Sequence, residues 1–262
     1  MLNLNFEQVG IQVCDIKSND HPKKQGTSIF LASPEEASEI HHGFGEWTLQ
    51  TTKGKDYHFE LAVNTKVERS ILYISGQSGS GKSFFTHRYC DAYHKCFPDR
   101  QIYLFSAVNE DPSVDSIKNL HRIALTHDLV ADELSAVDFE NSLVIFDDTD
   151  SLIDKKIKKC VSSIQASILT TGRHFKTSCI ITSHVAAGGN ETKLVLNESN
   201  SITLFPNSMS SRSLKYILES YLGLSKEQIK KIKKLPGRAV TIVKNYQKCV
   251  VSDKECYVLE NE

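Results

Sequence analysis

The sequence predicts an α/β protein in which helices flank a mainly parallel sheet. From about Lys66 onward, hydrophobic strands alternate with segments of helical periodicity, a pattern that is typical of such sheets. One apolar strand runs directly into a glycine-rich loop ending in Gly-Lys-Ser, and a second apolar strand ends in two aspartates. Together these features indicate a nucleotide-binding core.

Residues 1–65 have a different sequence pattern, in which short β-type segments are separated by turns that contain glycine, proline and charged residues. Strands are predicted here at residues 10–14, 28–32, 47–51 and 58–63. We therefore predict two units, a β-rich N-terminal extension over residues 1–65 and a P-loop domain over residues 66–262.

Within residues 66–262 the apolar pattern predicts an ordered series of elements. Strands are predicted at residues 71–74, 101–107, 122–125, 142–146, 178–182 and 201–205. Helices are predicted at residues 83–96, 152–169 and 211–222. A last helix is predicted from Ser225, where Ser225 and Gln228 match a capping box. Two further strands, at residues 239–244 and 249–259, are predicted to form a closing β-hairpin.

The loop after the first of these strands has the sequence GQSGSGKS and matches the pattern G-x-x-x-x-G-K-S. Its backbone N–H groups can surround phosphate oxygens, with the N-terminus of a helix behind them. Lys82 is expected to reach the β- and γ-phosphates, and the Ser83 hydroxyl is expected to bind Mg²⁺. The predicted phosphate-binding residues are Gly76, Gln77, Ser78, Gly79, Ser80, Gly81, Lys82 and Ser83. A purely structural turn is the alternative.

The strand at residues 142–146 ends in Asp147 and Asp148. A carboxylate at this strand end can hold the Mg²⁺ shell, and we assign that role to Asp147. A second carboxylate can orient and deprotonate an attacking water, which we assign to Asp148. The pair favours hydrolysis over phosphate transfer to a small acceptor. The alternative is a strand that merely ends in two acidic residues at a turn. In RecA-like proteins another strand separates the two motif strands, and the strand at residues 101–107 is compatible with that order.

Composition narrows the class of protein. The chain has 31 basic and 32 acidic residues, so its net charge does not indicate binding to nucleic acid or to a membrane. Local basic loops that bind DNA remain possible. No run of 18 apolar residues occurs, so we expect neither a membrane span nor a secreted protein. Seven cysteines without a C-x-x-C pair favour reduced thiols in a reducing compartment.

Residues 171–184 read TGRHFKTSCIITSH. Together with GQSGSGKS and LVIFDDTD, this stretch resembles the genome-packaging ATPases of poxviruses and other large nucleocytoplasmic DNA viruses, which belong to the FtsK–HerA superfamily. The resemblance covers roughly residues 70–220. It implies a RecA-like P-loop core, ATP and Mg²⁺ as cofactors, and the phosphate and carboxylate roles given above. It also implies a ring-forming homo-oligomer that moves double-stranded viral DNA into a capsid, a capsid or vertex partner, and a place in the host cytoplasm or virion.

The same resemblance assigns two further catalytic residues. Arg173 matches the arginine of the family's G-R-H element and would stabilise the transferring phosphoryl group, in its own subunit or in a neighbour. His184 stands where the family usually has a sensor glutamine. The plainer alternatives are an ion pair at a helix end for Arg173 and a strand cap for His184.

Two lysine clusters are candidates for DNA contact, although charged helix faces are usually only solvated. Their members are Lys155, Lys156, Lys158 and Lys159 in the first cluster and Lys226, Lys230, Lys231, Lys233 and Lys234 in the second. Besides a packaging motor, two other functions stay open at this point. The first is a P-loop kinase of nucleotides or small molecules, and the second is an interaction protein regulated by nucleotide.

Overall fold

A computed structural model describes residues 4–20, 26–33, 35–40, 57–184, 189–244 and 247–259. The first of its two sheets is small and antiparallel, with strand order β1-β3-β2-β4. Its strands are β1 (Leu4–Asn5), β2 (Ile11–Ser18), β3 (Thr27–Leu31) and β4 (Tyr57–Leu61). This confirms three of the strands predicted before residue 66. The fourth, at residues 47–51, lies outside the described residues.

The second sheet has nine strands, in the order β13-β12-β11-β10-β5-β9-β8-β6-β7. They are β5 (Ile71–Ser75), β6 (Ile102–Ser106), β7 (Leu120–Arg122), β8 (Leu143–Asp147), β9 (Ser178–Ser183), β10 (Ser201–Leu204), β11 (Val240–Val243), β12 (Cys249–Ser252) and β13 (Cys256–Val258). The run from β10 to β7 is parallel, and β11 to β13 are antiparallel. The predicted mainly parallel sheet is therefore confirmed.

The strand order explains how the two motif strands are related. The phosphate-loop strand β5 pairs with β9, and β9 pairs with the acidic strand β8. The separating strand is thus β9, which follows both motif strands in sequence, whereas β6 pairs with the far side of β8. Because all these strands are parallel, their carboxyl ends meet along one edge, which we call the carboxyl edge; the opposite one is the amino edge.

Helices cover both faces of this large sheet. They are α1 (Lys82–Cys96), α2 (Pro112–Asp115), α3 (His127–Ala131), α4 (Lys155–Thr171), α5 (Gly189–Glu198), α6 (Ser211–Lys215) and α7 (Lys226–Lys233), with a π-helical segment at Tyr216–Tyr221. Alternate residues of β5 pack on opposite faces, with Ile71 and Tyr73 toward α4–α7 and Leu72 and Ile74 toward α1. The strand is buried on both faces, which explains its unbroken apolar sequence.

Four predicted boundaries need correction. The expected hairpin is a three-stranded meander, because the Ser252 N–H donates to Glu255 O at 2.8 Å and divides residues 249–259 into β12 and β13. The helix expected from residue 152 begins at Lys155, where the Asp154 side chain caps it. The strand expected at residues 122–125 is Leu120–Arg122. The helix expected over residues 211–222 becomes π-helical from Tyr216.

The small sheet shares an apolar core with α1 and the meander. At its centre three thiols are fully buried, Cys14 on β2, Cys249 on β12 and Cys256 on β13, and the last two sulfur atoms lie 3.7 Å apart. All seven cysteines are free thiols. The predicted boundary near residue 66 therefore separates two sheets in sequence but not two hydrophobic cores. No helix in the described ranges is both long and apolar enough to cross a bilayer.

Candidate nucleotide site

The loop between β5 and α1 has the backbone shape that a phosphate cradle needs. Gly79 and Gly81 have φ values of +73° and +113°, in the left-handed region that favours glycine. A Cβ on Gly76 would lie 2.5 Å from Ser80 Oγ and 2.7 Å from the Phe205 ring, so only glycine fits there. The N-terminus of the 15-residue helix α1 begins at Lys82, behind the loop. The loop is therefore built to surround an anion.

Lys82 lies at the centre of the site and is 5% exposed. Its ammonium group donates to Gly76 O at 3.1 Å and lies 3.4 Å from Asp148 Oδ2. It also donates to His184 Nδ1 at 3.1 Å, while His184 Nε2 lies 2.8 Å from Asp148 Oδ2. Both contacts fit a neutral imidazole with its proton on Nε2. Residues from three strand ends thus form one Lys–His–Asp cluster.

Asp147 is buried at the end of β8. Its carboxylate accepts hydrogen bonds from Ser106 Oγ at 3.0 Å and Thr182 Oγ1 at 2.9 Å, from the ends of β6 and β9. Burial raises the pKa of Asp147, and the neighbouring charge of Asp148 raises it further, while the two hydroxyl donors act in the opposite direction. A buried carboxylate with few neutralising partners is suited to a cation.

Thr182 also fixes Asp148. Its hydroxyl accepts the Asp148 N–H at 2.9 Å and lies 3.1 Å from Asp148 Oδ1. Asp148 has φ 48° and ψ 32°, a left-handed conformation that is uncommon for a residue with a side chain. This backbone turn directs the second aspartate to Lys82 and His184 while the first stays with Ser106.

Ser83 meets an acid that the sequence had not indicated. Its hydroxyl donates to Asp111 Oδ2 at 3.2 Å, and Asp111 caps α2 through a bond from the Ser113 N–H. The charge of Asp111 also contributes to the raised pKa of Asp147. Ser83, Asp111 and Asp147 therefore offer oxygen atoms to one region. That donor set fits Mg²⁺, which prefers one or two carboxylates together with phosphate oxygens and water.

The structure brings most of the predicted residues together. The phosphate loop, Asp147, Asp148 and His184 all lie at the carboxyl edge. Sequence reasoning missed the supporting residues Ser106, Thr182 and Asp111. The first two are polar residues at the ends of apolar parallel strands, a signal that could have found them. Asp111 precedes a proline as a helix cap, which does not by itself indicate a nucleotide site.

Arg173 is not part of this cluster. It lies between α4 and the first residue of β9, at the amino edge, whereas His184 follows the last residue of β9. The six residues of β9 separate the two by roughly 20 Å. The Arg173 side chain is 72% exposed and pairs with Glu68, which raises the pKa of Arg173 and lowers that of Glu68. Whether Arg173 acts in its own subunit or in a neighbour was open from the sequence, and the geometry places it away from the nucleotide site of its own subunit.

Both lysine clusters reach the carboxyl edge. The first is at the start of α4, which follows the carboxyl end of β8, and the second is on α7, which ends shortly before β11 begins at the same edge. Lys155, Lys156 and Lys159 are exposed, whereas Lys158 donates to Asp150 O at 2.5 Å. All five lysines of the second cluster are exposed, and Lys231 lies 3.9 Å from the centre of the Tyr257 ring.

Comparisons with known proteins identify one sequence relative and several structures of similar fold. The sequence is 35% identical over 181 residues to the uncharacterized protein V3 of Sputnik virophage, covering 68% of this chain and 72% of V3. No protein-family model matches. The cytoplasmic domain of the type VII secretion ATPase EccC from Thermomonospora curvata is similar to 83% of this chain, with a TM-score of 0.53 and 12% identity, and the chain spans 29% of it.

A second group of similar structures is more distant in shape. The genome-packaging NTPase B204 of Sulfolobus turreted icosahedral virus 2, in complex with AMP, has a TM-score of 0.42 and 16% identity. That similarity covers 67% of this chain and 93% of B204. The similarity to EccC shows a shared fold, an α/β architecture with a mostly parallel large sheet flanked by helices.

Proposed function

The chain belongs to the family of the Sputnik virophage protein V3 and has the P-loop ATPase fold, and on this basis we propose that it is a Mg²⁺-dependent ATPase that drives double-stranded viral DNA into a capsid. The convergence of Lys82, Asp148 and His184 beside the glycine loop carries the proposal. A loop that only bound an anion would not need a carboxylate held by both an imidazole and a lysine.

In the proposed reaction the loop N–H groups bind the phosphates, and Lys82 exchanges its protein acceptors for β- and γ-phosphate oxygens. Asp148 accepts a proton from the attacking water, and His184 Nε2–H orients the Asp148 carboxylate. Ser83 and Asp147, with Asp111 beside them, would hold Mg²⁺. The ion, when bound, neutralises charge on the transferred phosphoryl group.

The position of Arg173 supports a ring. An exposed guanidinium at the amino edge has no role in phosphate chemistry within its own subunit, but it is accessible to a neighbour. An arginine supplied from a neighbouring subunit can stabilise the charge of the transition state. Hydrolysis would then depend on assembly, which suits a motor that works only around its substrate.

We propose that the motor translocates double-stranded DNA. Exposed lysines on α4 and α7 lie at the same edge as the nucleotide site, and contacts to phosphates would carry no sequence preference. The motif resemblance supports a poxvirus-type packaging role, and the relative in a virophage is compatible with a viral protein. A capsid or vertex protein as partner, and the host cytoplasm or the virion as location, are part of the same proposal.

ATPase assays with and without duplex DNA test the proposal, with Lys82→Ala as the inactive reference. DNA-stimulated phosphate release by wild type supports the motor. Transfer of phosphate to a nucleotide or small acceptor would instead make the protein a kinase, and nucleotide binding without turnover would make it a switch. Sizing with ATPγS and duplex DNA tests the ring, and a strict monomer under those conditions contradicts it.

A further inference from the structure

A cavity of about 510 Å³ opens next to the phosphate loop, on the side away from the catalytic cluster. Its floor includes Ser80 and Gly81 of the loop, and its walls come from α1, from β4 of the small sheet and from the meander. Drug-sized and cofactor-sized ligands occupy cavities of roughly 300–1,000 Å³. The space is therefore large enough for a base with its ribose.

The direction of a bound nucleotide follows from the strand order. Lys82 contacts Asp148 and His184, which follow β8 and β9, and these residues fix where the terminal phosphate lies. The cavity lies on the other side of β5, where Phe205 follows β10 and Arg238 precedes β11. A phosphate chain lying along the loop from Lys82 would therefore lead the nucleoside into this cavity.

The wall next to the loop carries an exposed aromatic ring. Phe84, in the first turn of α1, is 65% exposed, and the Arg88 guanidinium lies 5.6 Å from the centre of its ring. Arg88 donates to Glu60 Oε1 at 2.8 Å and to His58 Nε2 at 2.6 Å. Both partners are on β4, so the small sheet holds the wall in place. An exposed ring next to the phosphate loop and beside a held guanidinium is suited to stacking against a base.

The far end of the cavity is polar. Arg238 and Asp253 line it, and Arg238 forms no ion pair with any residue in the described ranges. Asp253 O accepts the Phe59 N–H at 3.0 Å, which joins the meander to β4 across the cavity. Charged donors and acceptors that line the same cavity as the loop can bind ribose hydroxyls and base edges.

We propose that this cavity binds the base and ribose of the nucleotide, so that the small N-terminal sheet is part of the nucleotide site. The inference rests on the proposed ATPase function and extends it, because it assigns a role to residues that the motifs do not include. Phe84 and Arg238 are binding residues in this proposal, and His58 and Glu60 are positioning residues that act through Arg88.

The test compares two ligands in the presence of Mg²⁺, the non-hydrolysable analogue AMPPNP and inorganic tripolyphosphate, by isothermal titration calorimetry. Both present a triphosphate to the loop, but only AMPPNP has a nucleoside. Phe84→Ala should weaken AMPPNP binding about tenfold, since a stacked base contributes about 1–3 kcal/mol. Arg238→Ala should act in the same direction. Neither variant should change the affinity for tripolyphosphate.

Tyr216→Ala is the matched control, because Tyr216 is an exposed aromatic residue that does not line the cavity. It should leave both affinities unchanged. Equal reductions of affinity for the two ligands, or no reduction for either, in both Phe84→Ala and Arg238→Ala would overturn the proposal while leaving the ATPase function standing. If wild type binds neither ligand, the proposed function itself fails. Glu60→Gln separates positioning from contact, because it should weaken AMPPNP less than Phe84→Ala does.

Discussion

The two edges of the large sheet differ in what their charged residues do. At the carboxyl edge, Lys82, Asp148 and His184 contact one another within 3.4 Å, and the contacts join an exposed imidazole to a buried lysine and a largely buried carboxylate. At the amino edge, Arg173 and Glu68 form one exposed ion pair. Exposed pairs contribute little to stability. The two ends of the stretch over residues 171–184 therefore belong to different places, because β9 separates them. Residues that lie close together in a sequence motif can therefore lie far apart in the folded protein.

The largest expected effect is at the carboxyl edge. Lys82→Ala removes the only charge that links the loop to Asp148 within the described site, and turnover should fall by on the order of 10²–10³ or more. Nucleotide affinity should fall as well. Phosphate release and calorimetric titration measure the two effects. Lys95→Ala, an exposed lysine in the last turn of the same helix, is the control and should behave as wild type.

Arg173→Ala addresses the amino edge. ATP affinity should be retained, while turnover should fall by on the order of 10³ if the guanidinium acts in a neighbouring site. Glu68→Ala removes the other member of the ion pair and should keep turnover, because Glu68 has no part in the proposed chemistry.

Mixing two inactive variants gives the sharper form of this prediction. Rings that contain both Arg173→Ala and Lys82→Ala subunits should regain part of the activity, because each subunit type supplies what the other lacks. Unchanged steady-state turnover in Arg173→Ala alone would remove the catalytic role and leave only the surface ion pair.

The exposed lysines of the first cluster give a smaller effect. The logarithm of the binding constant for duplex DNA falls linearly with the logarithm of salt concentration. Replacing Lys155, Lys156 and Lys159 by Gln should make this slope less steep, by about 0.9 for each DNA phosphate that a lysine no longer neutralises. Replacing Lys95 and Lys118, exposed elsewhere, should leave the slope as it is. An unaltered slope in the triple variant would exclude this part of the carboxyl edge from the DNA interface.

The smallest expected effect is on stability. Burial raises the pKa of Asp147, so the folded state binds this proton more tightly than the unfolded state does. Its stability contribution is present at low pH and is lost as the pH rises through the raised pKa. Without Mg²⁺, Asp147→Asn should therefore melt above wild type, by an amount that grows from acid toward neutral pH.

Calorimetric melting curves at several pH values test this, with about 2–4 °C expected for each kcal/mol in a chain of this size. Asp99→Asn, at an exposed position, should show no such trend. A melting temperature that falls in Asp147→Asn at neutral pH would mean that the hydroxyl donors Ser106 and Thr182 outweigh burial.

Much of the site follows from the sequence, and the reason is strand polarity. The loop and the two aspartates follow apolar strands, and parallel strands bring such residues to one edge. The same argument applied to Arg173, which precedes a strand, would have predicted the opposite edge. Strand neighbours are a different matter, because an apolar run predicts a strand without indicating its partner. The position of β9 between β5 and β8 therefore came only from the structure.

The nucleoside cavity could not have been predicted either. Its walls join β4 to the meander through contacts such as Lys254 Nζ to Tyr57 O, which are 197 residues apart in sequence. Contacts of that kind depend on the whole fold and leave no local pattern. His184 was found only through a family resemblance, and its catalytic role stays a prediction, although the structure shows its contact with Asp148.

The joining of β4 to the meander also has a consequence for synthesis. At about 5–20 residues per second, a ribosome needs roughly 10–40 s to make the 197 residues between Tyr57 and Lys254. During that time Cys14 and the apolar side of the small sheet have no partner from β12 or β13. The strands of the small sheet therefore precede the large sheet in sequence but complete their packing only with its last strands. We expect the proposed nucleotide cavity to close only after β12 and β13 have been made.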